Sequence, residues 1–228
     1  MPASVPGKPR LAYPTVVKGL RWLYSHAMAR LLLIRHAPTP ETGTRLTGRL
    51  PGVSLGDAGI AAAEQVAANL GGTTLKRLYA SPIERTMETA TIVGAPHGLT
   101  PIVEEDMTEI DFGSWAGRSF GQLRRTKLWS TVQTVPSQAR FPGGESFLEA
   151  QHRAVAACDR IAEGAGKATV AIVSHSDIIK LVVSHYLGQS IDLFQRINIS
   201  TTSVSAIHLH PGVPPFVDVV NGRGVLRA

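Results

Sequence analysis

Leu31-Leu32-Leu33-Ile34 is an unbroken apolar run that ends in Arg35-His36, and Val170-Ala171-Ile172-Val173 is a second that ends in Ser174-His175-Ser176. Short apolar runs without alternation are the pattern of strands covered on both faces, as in a parallel sheet. Neither approaches the 18 or more apolar residues of a membrane span, and no other stretch does. In an open α/β sheet, ligands gather beyond the carboxyl ends of the strands. Two strand-end histidines therefore predict one crevice that holds both His36 and His175. The ordinary reading, a satisfied structural histidine, is kept for His97, His152, His185, His208 and His210.

Working outward, strand and helix signals alternate from Arg30 onward, which predicts an α/β three-layer sandwich: a mostly parallel central sheet with helices on both faces. The expected strands are Leu31–Arg35, Leu78–Ala80, Ile102–Glu104, Thr169–Ser174 and Val204–Leu209. Ser54-x-x-Asp57 precedes an alanine-rich helix ending at Gly71-Gly72, and Ser81-Pro82-x-Glu84 combines an N-cap, a first-turn proline and a capping-box acid. Ser119-x-x-Gln122 marks another helix start, and Gly143-Gly144-Glu145 leads into a long helix over 146–163. The segment Thr131 to Gly144 reads as the one long irregular connection.

With 228 residues, 43% of them hydrophobic and 18% charged, the chain is long enough for one domain that buries about 70% of its unfolded surface, so neither disorder nor a disulfide scaffold is expected. The single cysteine, Cys158, sits in an apolar-periodic stretch without a CxxC spacing and reads as a buried structural thiol, in keeping with a reducing, cytoplasmic compartment. The formal charge is +6, but residues 1–29 hold Lys8, Arg10, Lys18 and Arg21 and no acid, leaving +2 on the other 199 residues. Nucleic-acid binding needs basic charge on the working face of the fold, so no nucleic-acid partner is expected. Residues 1–29 read as a basic extension and 30–228 as the functional domain. Within the extension, prolines give way to a helical stripe over Val16, Leu20, Leu23, Tyr24 and Ala27, which reads as an arm packing on its own domain or an upstream extension of a gene whose functional start is Met28, with a targeting sequence or membrane-surface helix as the alternative. A homo-oligomer is compatible with the sequence, which carries no signal deciding it.

Arg35 sets a permanent cation beside the His36 imidazole, and Arg85 falls in the first turn of the helix expected after Ser81. Guanidinium groups grip phosphate oxygens with two donors each, and a helix N-terminus offers unpaired N–H groups. The combination predicts a phosphate pocket. Taken alone, Arg85 would read as a solvated residue pairing with Glu84 or Glu88.

Arg35-His36-Ala37-Pro38-Thr39 resembles the Arg-His-Gly-x-Thr signature of the histidine phosphatase superfamily, which includes the cofactor-dependent phosphoglycerate mutases. The resemblance runs from about Leu31 to Leu209. It adds, in family order, Ser81-Pro82-x-x-Arg85-Thr86-x-x-Thr89-Ala90, Glu109-x-x-x-Gly113-x-Trp115-x-Gly117, Pro142-Gly143-Gly144-Glu145-Ser146 and Ser174-His175. It implies a phosphoglycerate mutase-like fold in which His36 takes the phosphoryl group, Glu109 protonates the leaving oxygen from a position just beyond a strand end, and Arg35, Arg85 and His175 bind the phosphoryl oxygens. The implied partner is a small-molecule phosphate ester. No metal and no cofactor is implied, and the sequence holds no HExxH, clustered Asp or CxxC ligand set.

Three positions depart from the family pattern: Ala37 for a glycine, tolerable where φ is negative; Thr42 for an asparagine, which reshapes one phosphate contact; and Ala62 for a glutamine on the following helix. Arg45-Leu46-Thr47-Gly48 resembles the mutase substrate loop, so Thr42, Arg45, Thr47, Gly48 and Ser176 are the expected substrate-binding residues. Against a mutase, Phe112 stands in place of a tyrosine, and the segment Arg118 to Gly144 is short and lacks a cation-rich lid. Arg124-Arg125 lies earlier, on an expected helix. The favoured expectation is therefore a phosphomonoesterase of histidine acid phosphatase type. A mutase-type phosphotransferase is the alternative, with a non-catalytic phosphate-binding module behind both. Sugar phosphates, phosphoglycerates, nucleotide-related phosphates and phosphohistidine in proteins are all compatible substrates.

Overall fold

The computed structural model describes residues 28–225, so the basic extension and its helical stripe lie outside the described residues except for Met28 and Ala29. Six strands form one sheet in the order β3-β2-β4-β1-β5-β6: β1 (Ala29–Arg35), β2 (Leu75–Ala80), β3 (Ile102–Val103), β4 (Thr169–Ser174), β5 (Val204–His210) and β6 (Val213–Gly222). β3, β2, β4 and β1 run parallel, whereas β5 pairs antiparallel with β1 and β6 antiparallel with β5. The two apolar runs are immediate neighbours, with Leu31 beside Val170 and Arg35 beside Ser174.

Successive side chains of a strand point to opposite faces, and both central strands are apolar at consecutive positions, Leu31–Ile34 and Val170–Val173, because both faces are covered. Leu31 and Leu33 join the core packed by α5 (Phe147–Ala165) and α6 (Ser176–Tyr186). Leu32 and Ile34 join the second core, packed by α1 (Asp57–Leu70) and α2 (Glu84–Gly94). Fully burying such side chains is worth roughly 1.5–3 kcal/mol each. That stabilisation fixes the middle strands and, with them, the residues at their ends. The fold is the three-layer sandwich that the alternating signals predict.

Local signals fared unevenly. Ser119 and Gln122 form a reciprocal capping box on α3 (Phe120–Leu123), and Ser146 with Glu149 forms another on α5. α1 instead starts behind Gly56 and α2 behind Ile83, each without a side-chain cap. Ser54 and Ser81 are therefore not N-caps, and the Ser81 hydroxyl is engaged elsewhere. The segment expected to be irregular from Thr131 to Gly144 begins inside α4 (Lys127–Thr134) and contains a 3-10 turn, Pro136–Gln138. β6 is not among the expected strands; it holds Pro214 and Pro215, which an edge strand tolerates because its outward N–H groups need no partner. Cys158 is fully buried, and burial pushes its thiol far above the usual range, as a structural thiol requires. No helix among the described residues is long and apolar enough to cross a membrane.

Candidate active site

The ends of β1 and β4 are latched together, the His36 N–H donating to the Ser174 carbonyl at 2.9 Å. The Ala37 N–H donates to Thr89 Oγ1 (3.0 Å), which donates to the Arg85 carbonyl (2.6 Å). Thr89, one turn beyond Arg85 on α2, thereby ties that helix to the strand end that carries His36. Ala37 lies outside the left-handed region, whose non-glycine occupants among the described residues are Thr202 and Asn221, so replacing glycine there brings no backbone strain.

Arg85 is 2% exposed and organises the cluster. Its Nε donates to His36 Nε2 (3.3 Å), and its Nη2 faces both the Gly48 carbonyl (2.8 Å) and His175 Nδ1 (3.1 Å). Because a guanidinium can only donate, the ring protons are fixed. His36 carries its proton on Nδ1, which donates to the Ala37 carbonyl (2.8 Å), and His175 carries its own on Nε2, which donates to Ser81 Oγ (2.8 Å). The solvated reading of Arg85 fails: Glu84 and Glu88 instead accept from the Gly52 and Leu55 N–H groups. Burial, then the Arg85 cation, pushes His36 down to about 3, and the same causes in the same order hold His175 well below its ordinary value. Both imidazoles are neutral near pH 7. Arg35 donates from Nη1 to the Ile199 carbonyl (2.7 Å). Arg35 Nε and Arg85 Nη1 are buried donors with no hydrogen-bond partner among the described residues.

Glu109 reaches the cluster by a different route from the one expected. β3 stops at Val103 and a 3-10 turn, Glu105–Met107, intervenes, so Glu109 does not sit at a strand end. Its carbonyl accepts from Arg49 Nε (2.7 Å) and Arg153 Nη2 (3.3 Å), and its Oε1 accepts from the Ile110 N–H (2.9 Å). Glu145 holds both of those arginines (2.9 and 2.6 Å) and accepts from the Asp111 N–H. This clamp needs the 111–113 and 142–145 backbones in contact. A Cβ on Gly113 would lie 2.2 Å from the Pro142 carbonyl oxygen, and one on Gly144 the same distance from that of Asp111. The glycines of two separate motifs thus serve one close approach. The second Glu109 oxygen lies 3.9 Å from His175 Nδ1. Burial, and then the nearby Asp177 carboxylate, raises Glu109 to about 7.

A cavity of about 300 Å³ opens on the cluster. Arg35, His36, Arg85 and Glu109 line it together with Thr42, Arg45, Thr47, Gly48 and Ser176. His175 is fully buried behind them, 5.3 Å from His36 between ring centres. Several expected substrate contacts are already engaged: Arg45 is ion-paired with Glu41 (2.7 Å), Thr42 Oγ1 accepts from the Thr39 N–H (2.9 Å), and the Ser176 hydroxyl donates to the Ile199 carbonyl (3.3 Å). The sequence reading missed Ser81, which orients His175; Arg49 and Arg153, which hold Glu109; and Asp177, Lys180, Trp129 and Gln133, which line the cavity. Ser81 was misread because its position before a helix imitates an N-cap. Arg49 and Arg153 carry no local signal, since their partner Glu145 is 96 and 8 residues away. Among the described residues no group of three or more His, Cys, Asp and Glu side chains is placed to hold a metal ion.

The chain is 32% identical over 207 residues to the bifunctional protein Rv2228c of Mycobacterium tuberculosis, a match covering 86% of this chain and 55% of that protein. It therefore spans about half the length of that curated relative. Phosphoserine phosphatase 1 of Hydrogenobacter thermophilus is 28% identical over 187 residues, 80% of this chain and 87% of that one. Among solved structures, mycobacterial glucosyl-3-phosphoglycerate phosphatase Rv2419c superposes with a TM-score of 0.77 at 21% identity, over 86% of this chain and all of that one, which shows a shared fold. The pattern of one family, the histidine phosphatase superfamily (branch 1), matches residues 31–222, from the first apolar run to the last strand. Its reach over the whole sheet, and over every segment that meets at Arg85, shows that this chain belongs to the histidine phosphatase superfamily.

Proposed function

We propose that the protein is a phosphomonoesterase that hydrolyses a small phosphorylated metabolite through a phosphohistidine intermediate. One observation carries the reading. A histidine held neutral sits among buried guanidinium donors without a hydrogen-bond partner among the described residues, beside a carboxyl whose pKa is raised to about 7. A buried donor left unpaired costs about 1–3 kcal/mol, and phosphoryl oxygens would answer both Arg35 Nε and Arg85 Nη1.

In this mechanism the His36 Nε2 lone pair attacks phosphorus. The Arg85 Nε–H that now meets Nε2 at 3.3 Å, a long hydrogen bond, turns to a phosphoryl oxygen. The N–P bond forms, the bond to the leaving oxygen breaks, and Glu109 gives that oxygen its proton. The Ala37 carbonyl, bonded to Nδ1–H, stabilises the positive charge of the phosphorylated ring. Glu109, now a carboxylate, takes a proton from water as the water attacks phosphorus; the N–P bond breaks and phosphate leaves. Arg35, Arg85 and His175 surround the transferring group, whose transition state spreads charge over its oxygens. Such acid-base assistance is typically worth 10²–10⁴-fold. The names of two similar proteins, both phosphatases, support hydrolysis. A cytoplasmic setting fits the free thiol of Cys158.

Mutase-type transfer is the second reading, favoured by the presence of Arg45, Thr47 and Gly48 in the cavity wall. Against it, the segment 118–144 contributes Phe120, Trp129, Val132, Gln133 and Phe141 to that wall and no cation. The test is phosphate release from a panel of phosphomonoesters, combined with intact-mass analysis after an alkaline quench. Wild type is expected to carry one phosphoryl group and His36→Ala none, with turnover lost and the circular dichroism unchanged. Labelling that persists in His36→Ala would overturn the assignment. Transfer to 3-phosphoglycerate faster than to water would favour the mutase.

A further inference from the structure

We infer that the substrate's alcohol portion is apolar, about the size of one aromatic ring, and free of carboxylate, an inference that rests on the phosphomonoesterase reading and specifies its substrate class.

Beyond the arginine and histidine cluster, the cavity carries an apolar wall of Leu46, Phe112, Trp115, Phe120, Trp129 and Val132, alongside polar side chains that include Thr47, Gln133 and Gln195. The wall is set firmly, for Phe112 and Trp115 are each 3% exposed and the Trp115 and Trp129 rings stack with centres 6.3 Å apart. At about 300 Å³ the cavity lies at the small end of small-molecule sites. Such a volume suits a phosphate with one ring and a short linker.

Charge argues the same way. Beyond the cluster two cations line the cavity, and both are held. Arg45 makes two hydrogen bonds to Glu41 (2.7 and 3.0 Å), while Lys180 is bonded to Asp177 (3.1 Å) and Gln195 (3.1 Å). A substrate carboxylate would have to share one of these cations with the Glu41 or Asp177 carboxylate, both of which also line the cavity and would repel it. An apolar group meets neither carboxylate and covers the half-buried Leu46, Phe120 and Trp129.

The test compares 3-phenylpropyl phosphate, propyl phosphate and 3-phosphoglycerate, whose leaving oxygens are all alkoxides, so that leaving-group chemistry does not decide the order. The kcat/KM for 3-phenylpropyl phosphate is expected to exceed that for propyl phosphate by about 10- to 100-fold, from burial of the ring, with 3-phosphoglycerate lowest. Trp129→Ala is expected to shrink the phenylpropyl-to-propyl ratio by about tenfold. Glu41→Gln, which frees Arg45, is expected to raise 3-phosphoglycerate relative to propyl phosphate by several-fold, and it remains available should Trp129→Ala not fold. Fastest turnover of 3-phosphoglycerate, with His36 still labelled, would overturn the inference and leave the phosphomonoesterase reading standing. Release from none of the three, with no label on His36, would overturn both.

Discussion

The carboxyl of Glu109 can be tested without any substrate, through the pH dependence of folding. In the folded protein, burial and the Asp177 carboxylate raise it from 4.5 to about 7; in the unfolded chain it titrates near its ordinary value. Between those values the folded state binds more protons than the unfolded state. The stabilisation linked to this proton is therefore fully present below about pH 4.5 and is lost as pH rises toward 7. A separation of roughly 2.5 pH units at 1.36 kcal/mol each makes the loss on the order of 3 kcal/mol by pH 8. Glu109→Gln does not titrate, keeps the shape of the protonated carboxyl, and retains an oxygen to accept the Ile110 N–H. The histidines with depressed pKa values are present in both proteins and cancel in the difference. Urea unfolding followed by fluorescence of Trp115 and Trp129 should place the variant within about 1 kcal/mol of wild type at pH 5 and about 3 kcal/mol above it at pH 8. A difference that does not grow between pH 5 and pH 8 would refute the raised pKa, and with it the proton that the leaving group is proposed to receive.

The same variant should lower kcat/KM for alkyl phosphates by roughly 10²–10⁴ and for p-nitrophenyl phosphate by clearly less, because a phenolate needs little protonation. Asp111→Asn is the control, since Asp111 Oδ1 accepts the Gly113 N–H and does not line the cavity; a larger selective loss there would move the acid away from Glu109. Gly144→Ala drives a Cβ to 2.2 Å from the Asp111 carbonyl oxygen and should cost about 1–3 kcal/mol in chemical denaturation. Gly72→Ala, with open space around it, should stay within about 0.5 kcal/mol, and equal effects of the two would contradict the packing of the 111–113 and 142–145 backbones.

The layers of the fold were legible in the chain because strand covering is a local property. A strand buried on both faces must be apolar at consecutive positions, and Leu31–Ile34 and Val170–Val173 state this without reference to the rest of the molecule. The strand-end histidines followed, since a parallel sheet delivers its carboxyl ends to one side. Pairing one, by contrast, depends on what lies across the fold. Ser81 carries an N-cap signature, but its hydroxyl is claimed by His175, 94 residues away, and α2 starts at Glu84 without a side-chain cap. Arg85 could equally have been a solvated residue of that helix; only the packing of α2 on β2 and β4, with its tie to the β1 end through Thr89, buries it between His36 and Gly48. Arg45 is expected to bind substrate, and Glu41, four residues earlier, becomes its partner through the turn that brings them together. Residue type and strand order thus determined where phosphate chemistry would gather. Which cations remain available, which proton is retained and how apolar the cavity wall is were decided by burial and by partners both near and far along the chain, because desolvation and ion pairing depend on what surrounds a group in space.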